Sequence, residues 1–454
     1  MKALRAAILP FYLALCLLLG GSSASNWANL VLQLLAIPLA FWALATRAPA
    51  PLTSSGRALI VLLCLLLLLI GLQLVPFPPG LWTHIPGRKD VAAAYELMGQ
   101  PLPWLPLSLA PYRSLASSMW LLPPTAILLG ILKFGADRRT LLIWALIGIT
   151  LAAILLGTLQ VISGSRWYPY EVTNYGAMTG FFANANHMAT LLLASTPFVA
   201  ALYVRARRQS SSAQKSSALM MISAIAPVFL AIGLIINNSL AGLGLMLPVA
   251  GASLLMIWWG ERAISRWWWF LLAVMGAAST AFIFSAPLGN DLTRASSATY
   301  QITRYYAWPR TFAAAVDFAP LGSGLGTFAN VYPRYEDPVF VEMTYMNHAH
   351  NDYLELALET GLPGLVLIAV FLSWWTRRTL SIWRDADSGG VFAKAATIAS
   401  AAILTHSLVD YPLRMAAISA VFALCCGLMA SPALRRASSR RDFEAAKAVH
   451  LSAD

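Results

Sequence analysis

Residues 57–75 read RALIVLLCLLLLLIGLQLV, nineteen positions with one charge, at the first, and one amide, Gln73. A helix of that composition has no polar face to turn toward water. At 1.5 Å of rise per residue it is long enough for the hydrocarbon core of a bilayer, about 30 Å thick. The rest of the chain follows the same pattern. Its 454 residues are 59% hydrophobic and 11% charged, where a soluble domain carries about 25% charged residues. One aqueous core cannot bury that much apolar surface, so lipid is the solvent the composition demands. Apolar runs of crossing length fall near 5–20, 28–45, 57–75, 114–134, 139–162, 186–204, 218–237, 239–258, 267–287, 353–376, 391–409 and 414–431. The expected fold is an all-α integral membrane protein with about twelve transmembrane helices and a large helical loop between helices nine and ten.

The net charge of +12 does not point to nucleic acid, because the basic residues sit in short clusters between apolar runs. With the N-terminus inside, 22 of the 31 Lys and Arg residues fall in inner segments, among them Arg138, Arg139, Arg205, Arg207, Arg208, Arg377, Arg378, Arg435 and Arg436. Every inner loop is then basic, which orients both termini to the cytoplasm. Twelve of the 19 acids and five of the six histidines (His84, His187, His348, His350 and His406) lie on the other face. The first residues, MKALRAAILPFYLALCLLLGGSSAS, have the pattern of a secretory signal and are read as an uncleaved first span. Cys16, Cys64, Cys425 and Cys426 all lie in apolar runs, where a thiol behaves as a small hydrophobe. They show no metal spacing and no disulfide framework.

Four regions follow: helices one to nine over 1–287, a large outer loop over 288–352, helices ten to twelve over 353–431, and a basic tail over 432–454. The large loop is far longer than the connections usual in compact domains. Tyr300, Tyr305, Tyr306, Trp308, Phe312, Phe318, Phe328, Tyr332 and Tyr335 are too many aromatics for a disordered segment, so it should fold as a small helical cap.

The densest polar constellation is Asn347-His348-Ala349-His350-Asn351-Asp352, followed by Glu355, Glu359, Gly361, Pro363 and Gly364, where that loop re-enters the membrane. Asn351 or Asp352 can cap the new helix. His350 would stand at its positive end, where an imidazole stays neutral and can act as a general base. Glu355 and Glu359, four apart, share a helix face. Arg304 and Arg310 flank Trp308 in an aromatic run, and a guanidinium pairs bidentately with phosphate oxygens. Gly322-Ser323-Gly324-Leu325-Gly326 has the look of a phosphate cradle but no strand before it, so a turn is expected. Asn184, Asn186 and His187 open the sixth span, as a polar cap or as ligands for sugar hydroxyls or phosphate. His406 and Asp410 share a helix side, and Asp410 can orient His406 or pair with Arg414.

Together these segments resemble the bacterial O-antigen ligase and polysaccharide polymerase superfamily. His350-Asn351 with Leu354, then Glu359, Gly361 and Gly364, is similar to its H-N-x-x-L and E-x-G-x-x-G elements. Arg304 with Trp308 is similar to its R-x-x-x-W, and Gly324 to Phe328 to its glycine-phenylalanine element. The stretch Phe182 to Ala189 resembles its asparagine-rich helix entry, and His406 to Arg414 a feature of exopolysaccharide-linked members. One departure stands out. Where the family often opens a helix with Ser-Arg, this chain reads Asn237-Asn238-Ser239-Leu240-Ala241. The arginine is missing, leaving Arg304, Arg310 or Arg414 as substitutes.

The resemblance implies a multi-pass enzyme of the bacterial inner membrane with its active site facing the periplasm. It implies transfer of a glycan from undecaprenyl diphosphate to an acceptor hydroxyl, on lipid A core or on a growing polysaccharide, without metal or cofactor. His350 and Arg304 would be catalytic, with His348, Asn351 and Glu359 orienting them. Arg310, Asn184, Asn186, His187, His406, Asp410, Arg414 and Trp308 would bind substrate. An exopolysaccharide or O-antigen polymerase is the alternative within this chemistry, and a transporter or flippase of lipid-linked sugars the alternative outside it.

Overall fold

The computed structural model describes residues 2–24, 26–46, 51–134, 139–208, 213–259, 297–338, 345–384 and 390–431, with single positions at 267, 274 and 278. For residues 2–5, 208, 213–220, 222–224, 259 and 297–306 it describes the backbone alone. Apart from those single positions, the predicted ninth span, the start of the large loop with Arg294, and the tail over 432–454 therefore lie outside the described residues.

The main helices are α1 (Lys2–Leu19), α2 (Trp27–Ala45), α3 (Ser54–Gln73), α4 (Leu122–Phe134), α5 (Arg139–Ser163), α6 (Ala185–Arg208), α7 (Ala213–Asn237), α8 (Leu240–Trp259), α9 (Ser297–Asp317), α10 (Asp352–Arg384), α11 (Gly390–His406) and α12 (Ala416–Ala430). Among the described residues seven helices are long and apolar enough to cross a membrane: α2, α3, Pro111–Phe134, α5, α6, α8 and α10. Shorter apolar helices in α1, α7, α11 and α12 fall on four more of the predicted spans. Leu30, Phe41, Leu68, Leu72, Trp258 and Val366 point outward and are exposed. Water would not tolerate such a surface, whereas lipid does.

Two predicted spans take a different form. The span expected over 114–134 is divided into Pro111–Met119 and α4. Pro123 and Pro124 offer no N–H to a preceding turn, so the helix restarts at Leu122. The span expected over 353–376 is a 33-residue helix with a break at Gly361 (φ 58°, ψ −153°), a backbone conformation that side chains oppose.

Helix α6 is the axis of the bundle. Leu191, Ala194, Phe198, Val199 and Ala201 are fully buried, and α7, α8, α11 and α5 pack around it. Its small residues let neighbours approach from every side. Outside the bundle, Pro76–Phe77 and Leu105–Pro106 form a two-residue antiparallel ladder, the one departure from all-α structure among the described residues. Part of the large loop is helical, with α9 followed by Phe328–Val331 and Tyr332–Arg334. Phe318, Phe328, Val331 and Tyr332 bury against Ala349 and Leu358. These apolar contacts seat the loop on the start of α10.

Candidate active site

The start of α10, the end of α11, the turn before α12 and the start of α6 meet at one end of the bundle. Asn351 is the cap: its Oδ1 accepts the N–H groups of Tyr353 and Leu354, both at 3.1 Å. That contact uses the side chain to satisfy two orphan donors. The preceding residue, His350, sits in the left-handed region at φ 51°, uncommon for a residue with a Cβ.

Asp352, Glu355 and Glu359 follow at helical spacing and lie on one face. All three are buried, with Glu359 wholly so. The sequence leaves open whether such acids are simply hydrated; the structure places Arg414 among them. Its Nη1 is 3.1 Å from Glu355 Oε1, its Nη2 2.9 Å from Glu359 Oε2 and its Nε 3.6 Å from Asp352 Oδ1. Guanidinium suits this arrangement because its donors fan out in one plane. Asp352 also accepts from Ser407 Oγ at 2.9 Å, and its N–H reaches Ser407 O at 2.9 Å. Arg414 and Asp352 thus lock α10 to the end of α11.

Glu355 also holds the residues before the helix. Its Oε2 accepts the Ala349 N–H at 2.7 Å, and Oε1 lies 2.9 Å from His348 Nδ1. Burial pushes the His348 imidazole below its ordinary value, against the pull of the Glu355 carboxylate. From the loop side, Trp308 Nε1 donates to Ala349 O at 3.0 Å. Position 304 lies one helical turn before Trp308 on α9, with its side chain outside the described residues. Arg310, further along α9, pairs with Asp337 at 3.1 Å.

The second polar group centres on Asp410, which is wholly buried. Its Oδ1 is 3.2 Å from His350 Nδ1 and accepts the Tyr411 N–H at 2.9 Å. Its Oδ2 accepts from Asn186 Nδ2 at 2.7 Å. His187 Nε2 stands 3.8 Å from Oδ1. His406 meets Thr190 on α6, Nδ1 to Oγ1 at 2.8 Å. Asn184 Oδ1 accepts the Asn186 N–H at 2.8 Å, so it caps α6. Tyr411 is a residue the sequence does not single out. Its ring packs against three imidazoles, His348, His187 and His350, at centroid distances of 4.2, 4.9 and 4.9 Å. An aromatic beside a conspicuous His/Asp pair is the only signal that was available for it.

The glycine-rich segment makes a turn, as expected, and its N–H groups serve the broken helix. Ser323 N–H reaches Leu358 O and Gly324 N–H reaches Glu359 O, both at 2.9 Å, while Leu362 N–H reaches Pro320 O at 2.8 Å. Gln73, the amide in the apolar run of α3, donates to Glu359 O at 2.9 Å. These contacts satisfy backbone that the kink at Gly361 would otherwise orphan. A Cβ at Gly361 would lie 2.1 Å from Pro320 O.

Chemically, the site offers a histidine backed by a buried carboxylate, a second histidine on Glu355 and a half-buried guanidinium among buried acids. Among the described residues no three His, Cys, Asp or Glu side chains converge in metal-ligand fashion.

Apolar helices with a polar centre buried at one end define a multi-pass membrane protein. The family model described as O-antigen ligase matches residues 225–369, and this match supports the O-antigen ligase-related family for the chain. The matched stretch holds Ser239, Trp308, Arg310, His348, His350, Asn351, Glu355 and Glu359; Asn184, Asn186, His187, His406, Asp410 and Arg414 lie outside it. The family implies ligase- or polymerase-type glycosyl transfer in general and lipid-linked polysaccharide substrates in general. No curated protein matches the chain.

Proposed function

We propose that the protein transfers a glycan from undecaprenyl diphosphate to an acceptor hydroxyl at the periplasmic face of the bacterial inner membrane, in the manner of an O-antigen ligase. The observation that carries this reading is the pairing of His350 Nδ1 with Asp410 Oδ1 at 3.2 Å. A carboxylate on Nδ1 fixes the tautomer with its lone pair on Nε2, the arrangement of a general base. His350 Nε2 takes the acceptor proton as the acceptor oxygen bonds to the anomeric carbon. The bond from that carbon to the phosphate oxygen breaks, and diphosphate leaves with the electron pair. Asp410 stabilises the imidazolium that forms. Arg304 neutralises the departing diphosphate; Arg414 is engaged by three carboxylates and serves the frame of the site. Asn351, His348 and Glu359 orient the helix start around His350.

Purified His350→Ala, given lipid-linked donor and acceptor, should lose transfer; a wild-type rate would overturn the assignment. Arg304→Ala should weaken use of the diphosphate donor, and unchanged donor dependence would refute that role. A polymerase would use the same chemistry with a growing polysaccharide as acceptor. Surface-glycan analysis after deletion separates the two: polymer lost from lipid A core marks a ligase, single repeats left on the carrier mark a polymerase.

The break at Gly361 beside buried acids gives one specific support to a transporter of lipid-linked sugars, since transporters use interrupted helices. Conversion of donor and acceptor in detergent, where there is no membrane to cross, would exclude it.

A further inference from the structure

The stretch Asn237-Asn238-Ser239, where the family's arginine is missing, is tied into the site by another route. Asn237 Nδ2 donates to Met178 O at 2.6 Å and Ala185 O at 2.9 Å, strapping the turn to the start of α6. Helices α6 and α8 come so close here that a Cβ on Gly242 would sit 2.8 Å from Ala189 Cβ. Ser239 then reaches Asn186, Oγ to Oδ1, at 2.7 Å. Asn186 Nδ2 in turn reaches Asp410 Oδ2 at 2.7 Å, and Asp410 Oδ1 faces His350 Nδ1.

Donor and acceptor roles along this chain are fixed. Ser239 Oγ accepts the Gly242 N–H at 3.1 Å, so its own proton goes to Asn186 Oδ1. The Asn186 amide cannot turn over, because its oxygen would then meet the Asp410 carboxylate. Asp410 therefore receives Asn186 Nδ2–H on one oxygen and the Tyr411 N–H on the other. Accepting on both oxygens, it obliges His350 to carry its proton on Nδ1.

We propose that Asn186 is a positioning residue for the His350–Asp410 pair, with Ser239 locking its amide. This gives Asn186 a role acting through Asp410, rather than the contact with substrate expected from sequence. It rests on the reading of His350 as the base.

The test uses the full-length protein purified in detergent, with transfer followed from about pH 5 to about pH 9. Asn186→Leu removes the donor toward Asp410 and should lower kcat on the order of 10-fold or more, with the donor KM unchanged. Asn186→Asp keeps the acceptor for Ser239. At the acid end its protonated carboxyl donates to Asp410 as the amide did, because two adjacent carboxylates hold one proton strongly. As pH rises that proton is lost, so this variant should gain an alkaline fall in kcat that wild type lacks. The other titratable groups facing position 186 and Asp410 are His187 on α6, His348 and His350 before α10, and Tyr411 after α11. His406 lies against Thr190, and Arg414 lies with Asp352, Glu355 and Glu359. All are common to both proteins, so the difference between the two profiles isolates position 186.

A wild-type kcat in Asn186→Leu, or an Asn186→Asp profile parallel to wild type, would overturn the proposal. If Asn186→Leu does not fold, Asn186→Asp alone decides it by the same profile. His350→Ala in the same assay separates the two readings. An inactive His350→Ala with an active Asn186→Leu rejects only the positioning role, whereas an active His350→Ala rejects the base itself.

Discussion

Arg414 Nη2 lies 2.9 Å from Glu359 Oε2, although 55 positions separate the two residues in the chain. The pair joins the broken helix α10 to the turn before α12, and the same guanidinium reaches Glu355 and Asp352. Removing one partner of a buried ion pair leaves the others uncompensated, which costs about 3–5 kcal/mol. Arg414→Met should therefore destabilise the protein by at least that amount, read as a large drop in thermal midpoint in detergent. Arg414→Lys should recover only part of it, because an ammonium cannot address three carboxylates in a planar fan. A midpoint within a degree or so of wild type for Arg414→Met would show that the acids do not need the cation.

Gly361 is the second point on which the frame depends. Its φ of 58° with ψ of −153° lies in a region that is nearly glycine-only, and holding a side chain there costs about 1–3 kcal/mol. The added Cβ would also meet Pro320 O at 2.1 Å. Gly361→Ala should lower folding yield and thermal midpoint, whereas Gly148→Ala, with nothing within 4 Å of its Cβ, should be neutral or mildly stabilising. Equal behaviour of the two variants would refute the strain argument.

Much of this was readable in the sequence because it is local. Apolar length gives the helices, and Asn351 sits where a helix cap is needed. The Gly361-Leu362-Pro363-Gly364 run signals loose backbone. What could not be read depends on partners far away in the chain. Glu355 and Glu359 look like interfacial acids until Arg414 is placed among them. Asn186 has the sequence of a ligand-binding amide, yet its two ends are taken by Ser239 and by Asp410, 224 positions onward. Asp410, four residues from His406 in sequence, meets His350 from just before α10 and Asn186 from α6. The absence at Leu240 of the arginine that the resemblance leads one to expect is visible in the sequence, but the strap is not, because Asn237 bonds backbone acceptors, which leave no mark on sequence, and Ser239 bonds a side chain 53 positions away. Arg304 remains an inference from its motif, one turn from Trp308.

His348 gives a pH prediction. Burial holds its imidazole below the ordinary value, so the folded state binds the proton less readily than the unfolded chain. Its stability contribution is full above the unfolded value, about 6.5, and is lost as pH falls below it toward the depressed folded value. His348→Gln keeps a donor for Glu355 without titrating. The thermal midpoint of wild type should therefore fall more steeply than that of His348→Gln on going from about pH 7 to about pH 5. Parallel slopes would contradict the assignment.

The last prediction concerns the tautomer. Asp410→Asn preserves shape but places an amide where Asp410 accepts from two sides. Asn186, held by Ser239, still donates to one side of it, so the new NH2 turns toward His350, whose ring can switch to accepting, and the Tyr411 N–H loses its acceptor. Nδ1 then becomes the acceptor, and the ring proton moves to Nε2, where it blocks the base. The loss in kcat should approach that seen when a catalytic histidine is forced into the wrong tautomer, up to about 10⁴-fold. Donor KM should change little, because Asp410 is buried behind the imidazole. Raising the pH should not restore activity, since the defect lies in which nitrogen carries the proton and not in whether the ring is charged. Recovery at alkaline pH, or a kcat within a few-fold of wild type, would mean that Asp410 does not set the state of His350.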